Sequence, residues 1–269
     1  MATVDVNGWS LGYRYAPATR GHDFVFVNAL TGSGAMWEQA IAPALRDRGH
    51  GTLTFDLPGQ AESPLPSAAP IACGDLTAAT AGIVDALGLQ RPLYVGLSIG
   101  GLFALEGHLG GTEAAGFVLI NTLRKADARL AWINDAVLRL GELGGGRLLK
   151  DVYGPLLFGP EWLRANRDGA LLAEPYAPLD PSAADRKLLA AGRVANWDVP
   201  YERIACPVVV LTGLQDRVFF DPASVAELTA RLPDAVRQDV PDGAHLLPVE
   251  KPAAVVQACL GLAGRIGVP

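Results

Sequence analysis

Between Pro92 and Leu105 the sequence passes from a short apolar segment, Leu93, Tyr94 and Val95, through Gly96, Leu97, Ser98, Ile99, Gly100 and Gly101 into a second apolar segment. Read as strand, turn and helix, this G-x-S-x-G stretch constrains everything around it. A serine caught between strand and helix takes a strained backbone conformation, and the flanking turns pass so closely that a side chain at Gly96 or Gly100 would collide with them. The strain lifts the hydroxyl clear of the sheet. The backbone N–H of Ile99, at the start of the helix, then points toward whatever reacts with the serine and can hold developing negative charge. A nucleophile and half an oxyanion hole are useful only if the chain also supplies a base, an acid to orient it and a second N–H donor. A glycine-rich turn that merely contained a serine would need none of these.

Around this stretch the chain alternates strand and helix. Val4 to Asn7 and Trp9 to Tyr15 read as short antiparallel strands about Asn7-Gly8, a favoured hairpin pair. Asp23 to Asn28 is a continuous apolar strand, as expected when both faces are buried. It leads into the small-residue loop Ala29 to Gly34 and a helix carrying Trp37, Ile41 and Leu45. Thr52 to Asp56, a helix from about Cys73 to Leu87, the elbow itself and Ala115 to Asn121 continue the pattern, which predicts a mostly parallel sheet with helices on both faces and functional groups at the strands' carboxyl ends. From Thr122 to Tyr201 the rhythm stops. Leu130, Ile133, Val137, Leu148, Val152, Leu188 and Leu189 recur at helical spacing, interrupted by Gly144-Gly145-Gly146 and several prolines, with no strand. We read 123–201 as a helical lid inserted over a core made of 1–122 and 202–269. Pro207 to Thr212, a helix from Ala223 to Leu232, a strand near Ala235 to Val240 and a helix from Pro252 to about Leu262 complete that core.

Asp216, in Gly213-Leu214-Gln215-Asp216, and His245, in Gly243-Ala244-His245, each follow a predicted strand. In this chemistry His245 takes the proton of Ser98 during attack, while Asp216 fixes the imidazole tautomer and stabilises the imidazolium. His22, His50 and His108 fall before a strand, between helix and strand, and deep in a helix, away from the active edge. The backbone N–H of Leu30, in the loop after the Asp23 strand, is the choice for the second oxyanion donor. Gly32 and Gly34 do not form a phosphate cradle, since no Gly-Lys-Ser/Thr ending follows.

The order Ser98, Asp216, His245 and the pieces around it resemble the α/β-hydrolase fold family over nearly the whole chain. The matching pieces are Gly96 to Gly100, Asp56-Leu57-Pro58-Gly59-Gln60-Ala61-Glu62-Ser63, Asp216 after its strand, and Gly243-Ala244-His245. Ala61 replaces the family's usual second glycine, and Asn28-Ala29-Leu30 stands where many members have His-Gly, with Trp37 downstream. Asn-x-Leu and Asn121-Thr122 resemble 3-oxoadipate enol-lactonases and related ester and lactone hydrolases. The resemblance implies an eight-stranded sheet and a serine hydrolase of small carboxylic esters or lactones working through an acyl-Ser98 intermediate. Carbon–carbon bond hydrolysis of a ring-cleavage product, cofactor-free oxygen chemistry and a non-catalytic ligand binder are the alternatives. The elbow serine argues for acyl transfer, because members that open carbon–halogen bonds or epoxides attack with aspartate. Trp132, Phe158, Trp162, Trp197 and Phe219 are candidate apolar walls of a substrate pocket. Arg124 and Lys125, just after an active-edge strand, are candidates to pair with a substrate carboxylate.

No metal or organic cofactor is implied. Cys73, Cys206 and Cys259 are odd in number and scattered, without metal-ligand spacing. A formal net charge of −6 and the absence of Lys/Arg runs argue against nucleic acid. Half of the residues, 50%, are hydrophobic, yet charges, Gly or Pro break every apolar run well short of the roughly 18 residues of a membrane span. The expected partner is a small molecule, with no membrane. Met1 to Asp5 lack a basic region before an apolar core, so a cytoplasmic location is the default expectation. Nothing in the sequence selects an oligomeric state.

Overall fold

The structure, a computed structural model, describes residues 2–65, 69–170 and 173–267. Residues 1, 66–68, 268 and 269 of the expected core and 171–172 of the expected lid therefore lie outside the described residues. Asn7 and Gly8 both take positive φ, 52° and 84°, turning β1 (Ala2–Val6) back antiparallel onto β2 (Trp9–Ala16). There follow β3 (Asp23–Val27), α1 (Ala35–Glu38), α2 (Ile41–Arg46), β4 (Gly51–Phe55), α3 (Cys73–Ala86), β5 (Leu93–Leu97), α4 (Ile99–Leu109) and β6 (Gly116–Ile120). Three helices then run without an intervening strand among the described residues: α5 (Ala128–Leu157), α6 (Pro160–Ala170) and α7 (Ala184–Arg193). After a short 3-10 turn at Tyr201–Arg203 come β7 (Val208–Gly213), α8 (Pro222–Arg231), β8 (Ala235–Val240), α9 (Leu247–Glu250) and α10 (Pro252–Ile266).

The strands form one sheet in the order β1-β2-β4-β3-β5-β6-β7-β8. The sheet is mixed. Only the β1-β2 and β2-β4 pairings are antiparallel, and from β4 to β8 every pairing is parallel. Strands β4 to β7 are buried along their whole length, which explains why they read as continuous apolar runs rather than alternating ones. Successive side chains leave the sheet on opposite faces. Val25, Leu53, Tyr94, Leu119 and Val210 therefore pack with Leu76, Ile83, Phe103 and Leu228 on one face, while Phe24, Phe26, Val95, Val118 and Leu211 pack with Trp37, Ile41, Val255 and Leu262 on the other.

One local expectation changes. The helix expected through Trp37, Ile41 and Leu45 is two short helices, α1 and α2, separated at Ala40, whose φ is −146°. The cause is Pro43, which has no N–H to offer the carbonyl of Gln39 and whose ring crowds that carbonyl. The expected interruption at Gly144-Gly145-Gly146 is present: Gly145, at φ 71° and ψ −170°, leaves helical geometry and divides α5 into two helical stretches across a kink. The carbonyl of Ala177 comes so close that a Cβ at Gly145 would lie 2.5 Å from it, a position open only to glycine. Asp127 caps the start of α5 by accepting the N–H of Leu130 at 2.7 Å.

Candidate functional site

Ser98 lies between β5 and α4 at φ 57° and ψ −125°, a conformation that costs a non-glycine residue about 1–3 kcal/mol and persists only when its surroundings enforce it. The enforcement is visible on both sides. The N–H of Ser98 donates to Ile120 of β6 at 2.8 Å, and its carbonyl accepts the N–H of Gly101 at 3.1 Å. A Cβ at Gly96 would lie 2.3 Å from Gly101 Cα, and one at Gly100 would lie 2.4 Å from the carbonyl oxygens of Val27 and Asn28. These contacts are with backbone, which cannot rotate away.

Asp216 and His245 meet beside it, each only 4% exposed. His245 Nδ1 lies 2.6 Å from Asp216 Oδ2, while Asp216 Oδ1 accepts the N–H groups of Val218 at 2.9 Å and Phe219 at 3.0 Å. Burial alone would raise this carboxyl, but His245 and the two backbone donors hold it below the usual carboxylate range. An ionised carboxylate only accepts, so the Nδ1 proton faces Asp216 and Nε2 is left as the acceptor. The loop carrying His245 is fastened from three directions. Asn121, at φ 49° just beyond β6, donates through Nδ2 to the carbonyls of Ala244 at 3.0 Å and His245 at 2.9 Å and accepts the N–H of Gly213 at 2.8 Å. The end of α5 supplies two more acceptors, since His245 N–H donates to Leu157 and Arg217 N–H to Leu156, both at 3.0 Å. Glu250 takes the N–H of Gly159 at 2.6 Å and that of Ala244 at 3.2 Å.

The loop after β3 is braced by buried side chains that the sequence reading quoted without assigning them this work. Asn28 Nδ2 donates to the Phe55 carbonyl at 2.8 Å and to Gln60 Oε1 at 2.9 Å, while its Oδ1 accepts the indole N–H of Trp37 at 2.7 Å. Gln60 Nε2 in turn donates to the carbonyls of Ala29 at 2.7 Å and Leu30 at 3.0 Å. Asp56 joins the same network, accepting the N–H of Gly34 at 2.7 Å and that of Glu62 at 3.0 Å. With both carbonyls of the loop held, the N–H of Leu30 is left without a partner among the described residues, as is that of Ile99 at the first position of α4. Replacing Gln60 by leucine strands a buried Asn28 N–H, the N–H of Leu57 and the Leu30 carbonyl, while the Ala29 carbonyl keeps the N–H of Gly32. The expected loss is about 1–3 kcal/mol of unfolding free energy, read as a lower urea midpoint at unchanged slope; an unaltered midpoint would mean the network carries no stability.

These groups open on a cavity of about 440 Å³ between the sheet edge and the helical segment. Leu30, Ser98, Ile99 and His245 line it from the loops at the sheet edge, Val137 and Leu149 from α5, and Phe158 and Trp197 from the stretches that follow α5 and α7. Phe219 and Arg124 also line it. Two of the expected wall residues do not. Trp132 is 78% exposed and faces a separate shallow groove with Tyr153 and Arg217; it sits about 200° round the α5 axis from Asn134, which does face the cavity. Trp162 stacks on Phe158 with ring centroids 3.7 Å apart and reaches the cavity only through it. Lys125 is ion-paired with Glu227 on the surface and is not among the lining residues.

Arg124 sits deeper than its sequence position suggests. It is 7% exposed, with its guanidinium carbon 4.0 Å from the ring centre of Phe219 and 4.9 Å from that of Trp197. Its Nη2 donates to Ser98 Oγ at 2.5 Å, and no hydrogen bond joins Ser98 to His245. Burial pushes the guanidinium down to about 10, which still leaves it cationic at neutral pH. Among the described residues no cluster of three or more His, Cys, Asp or Glu is placed to hold a metal, and no helix is long and apolar enough to cross a membrane. The thiols of Cys73 and Cys206 are pushed up to about 11 by burial, and all three cysteines are free.

Comparison with known proteins agrees with this architecture. RutD of Variovorax paradoxus (strain S110), a proposed carbamate hydrolase, is 26% identical over 263 residues, covering 96% of this chain and 98% of its own. A thermophilic esterase from Thermogutta terrifontis superposes with a TM-score of 0.81 at 20% identity, over 99% of both chains. The enol-lactonase from Burkholderia xenovorans LB400 does so with a TM-score of 0.77 at 20% identity, over 97% of this chain and 99% of its own. The model of the alpha/beta hydrolase family matches residues 24–258. With that match running from β3 through β8 and taking in the elbow and the loops that follow β7 and β8, the chain belongs to the alpha/beta hydrolase family and is an enzyme of the hydrolase class.

Proposed function

We propose that the protein hydrolyses small carboxylic esters or lactones through an acyl-Ser98 intermediate, with 123–201 acting as a cap over the site. The observation that carries this reading is the buried Asp216–His245 pair, 2.6 Å apart, opening on the same cavity as the strained Ser98. His245 Nε2 accepts the hydroxyl proton as Ser98 Oγ attacks the acyl carbon, and the imidazolium so formed is stabilised by Asp216. The carbonyl oxygen becomes an oxyanion held by the free N–H groups of Leu30 and Ile99, each such donor contributing about 2.7–4 kcal/mol in the transition state. His245 then returns its proton to the departing alcohol oxygen and activates the water that releases the acid. The elbow serine supports acyl transfer, and an esterase and an enol-lactonase share the fold.

The test is turnover by wild-type protein of a panel of p-nitrophenyl esters, small lactones and dienone acids. Ester or lactone hydrolysis is expected, with a preference for short acyl chains that reflects a cavity of about 440 Å³. Turnover of the dienone acids with silence on every ester and lactone would move the chemistry to carbon–carbon bond hydrolysis.

A further inference from the structure

Arg124 is a buried cation that lacks a counter-ion of its own. Among the described residues it forms no ion pair, and its hydrogen bonds go to neutral oxygens, Ser98 Oγ at 2.5 Å and the carbonyl of Asn121 at 3.4 Å. Its Nε has no partner. Asp216 is near enough to attract it, but both carboxylate oxygens are already engaged, one by His245 and the other by the N–H groups of Val218 and Phe219. The neighbouring cations differ: Lys125 has Glu227, and Arg193 has Asp135. Phe219 and Trp197 support the guanidinium through their rings and supply no negative charge. Burying a charge without a partner is unfavourable, and an anion brought into the cavity removes that penalty.

The same guanidinium occupies the nucleophile. While Nη2 donates to Ser98 Oγ, that hydroxyl makes no hydrogen bond to His245. A carboxylate is a far better acceptor for a guanidinium than a neutral hydroxyl, because its bonds are charge-assisted and bidentate. We propose that Arg124 is the receptor for a carboxylate carried by the substrate, and that this carboxylate draws the guanidinium off Ser98 Oγ and so releases the nucleophile to His245. The inference rests on the acyl-Ser98 reading above and narrows its substrate class to esters or lactones whose acyl part bears a free carboxylate, such as half esters of short dicarboxylic acids. A neutral ester of the same length fits the apolar walls equally well but meets a serine still held by Arg124.

The experiment compares monoethyl glutarate with ethyl pentanoate, its chain-matched neutral counterpart, in wild-type, Arg124→Met and Arg124→Lys proteins, alongside calorimetric titration with glutarate. Wild type is expected to favour the acidic ester by about tenfold or more in kcat/KM, the scale of one charge-assisted contact. Arg124→Met should lose that preference and the glutarate heat, and should gain turnover of ethyl pentanoate, because the serine is no longer held. Arg124→Lys retains the charge and should keep part of the preference, which preserves the comparison if the methionine variant does not fold. Acetate added to wild type should accelerate ethyl pentanoate hydrolysis, a response that a purely structural arginine would not give. Equal kcat/KM on the two esters in wild type, or glutarate binding that survives in Arg124→Met, would overturn the receptor. An acidic preference without any acetate response or gain in Arg124→Met would overturn the release step. Wild type inert on both esters would instead strike the acyl-serine reading, and the glutarate titration would still decide whether Arg124 takes a carboxylate.

Discussion

Ser98→Ala protein is expected to lose nearly all ester or lactone turnover, with kcat falling by about 10⁶, the loss typical of a deleted triad nucleophile. The side-chain hydroxyl makes one hydrogen bond, from Arg124, so little else depends on it. Alanine has the same Cβ at φ 57° as serine, and the bonds that enforce the turn are made by the backbone of Ser98, not its hydroxyl. The substituted protein should therefore melt close to wild type, which separates lost chemistry from lost fold. Burst titration with a p-nitrophenyl ester is the direct check: wild type should release one equivalent of nitrophenol rapidly as the enzyme acylates, and the alanine protein none. Undiminished steady-state turnover in pure Ser98→Ala protein would remove Ser98 from the mechanism.

The second large effect is expected at Asp216→Asn, where kcat should fall by about 10⁴ with the fold retained. The carboxamide oxygen can still accept the N–H groups of Val218 and Phe219, so the turn that follows β7 keeps its shape. The amide nitrogen then faces His245 Nδ1 and can only donate. Nδ1 must become the acceptor, the ring proton moves to Nε2, and the imidazole loses the lone pair with which it would take the proton of Ser98. The loss should appear in kcat with a much smaller change in KM, since Asp216, unlike His245, does not line the cavity. Retention of more than a tenth of the wild-type rate would assign the orienting role elsewhere.

What could be read in advance followed from rules that act over a few residues. The elbow glycines, the buried runs of β3, β5 and β6, and the Asn7-Gly8 hairpin each state a local steric or burial requirement that the sequence cannot satisfy in another way. The positions of Asp216 and His245 were legible because parallel strands gather their carboxyl ends on one edge, so a residue's place after a strand is also its place in space. The side of α5 that faces the cavity was not legible. Val137 and Trp132 are both apolar, and the helix could turn either toward the sheet until its bend at Gly145 and its contact with α7 set the rotation. Nor could the sequence report that Arg124 folds back onto Ser98, because a charged residue after a strand reads as solvated until the rings of Trp197 and Phe219 are seen against it. Gln60 was hidden for a similar reason. Its worth lies in partners on two separated stretches, residues 28–30 and Leu57, which no short motif records.

The two carbonyls at the end of α5 set a limit on transplanting substrate range between relatives. Leu156 and Leu157 belong to the helical segment by sequence, yet their carbonyls hold the backbone of Arg217 and His245. A chimera that exchanged the whole of 123–201 would import foreign specificity and at the same time unfasten the loops that carry Asp216 and His245. The functional seam lies upstream of the sequence boundary. A donor's helices can be grafted between Ala128 and Pro155 with this chain's Leu156 and Leu157 left in place, so that the pocket changes owner while the Asp216–His245 pair stays on its original mounting.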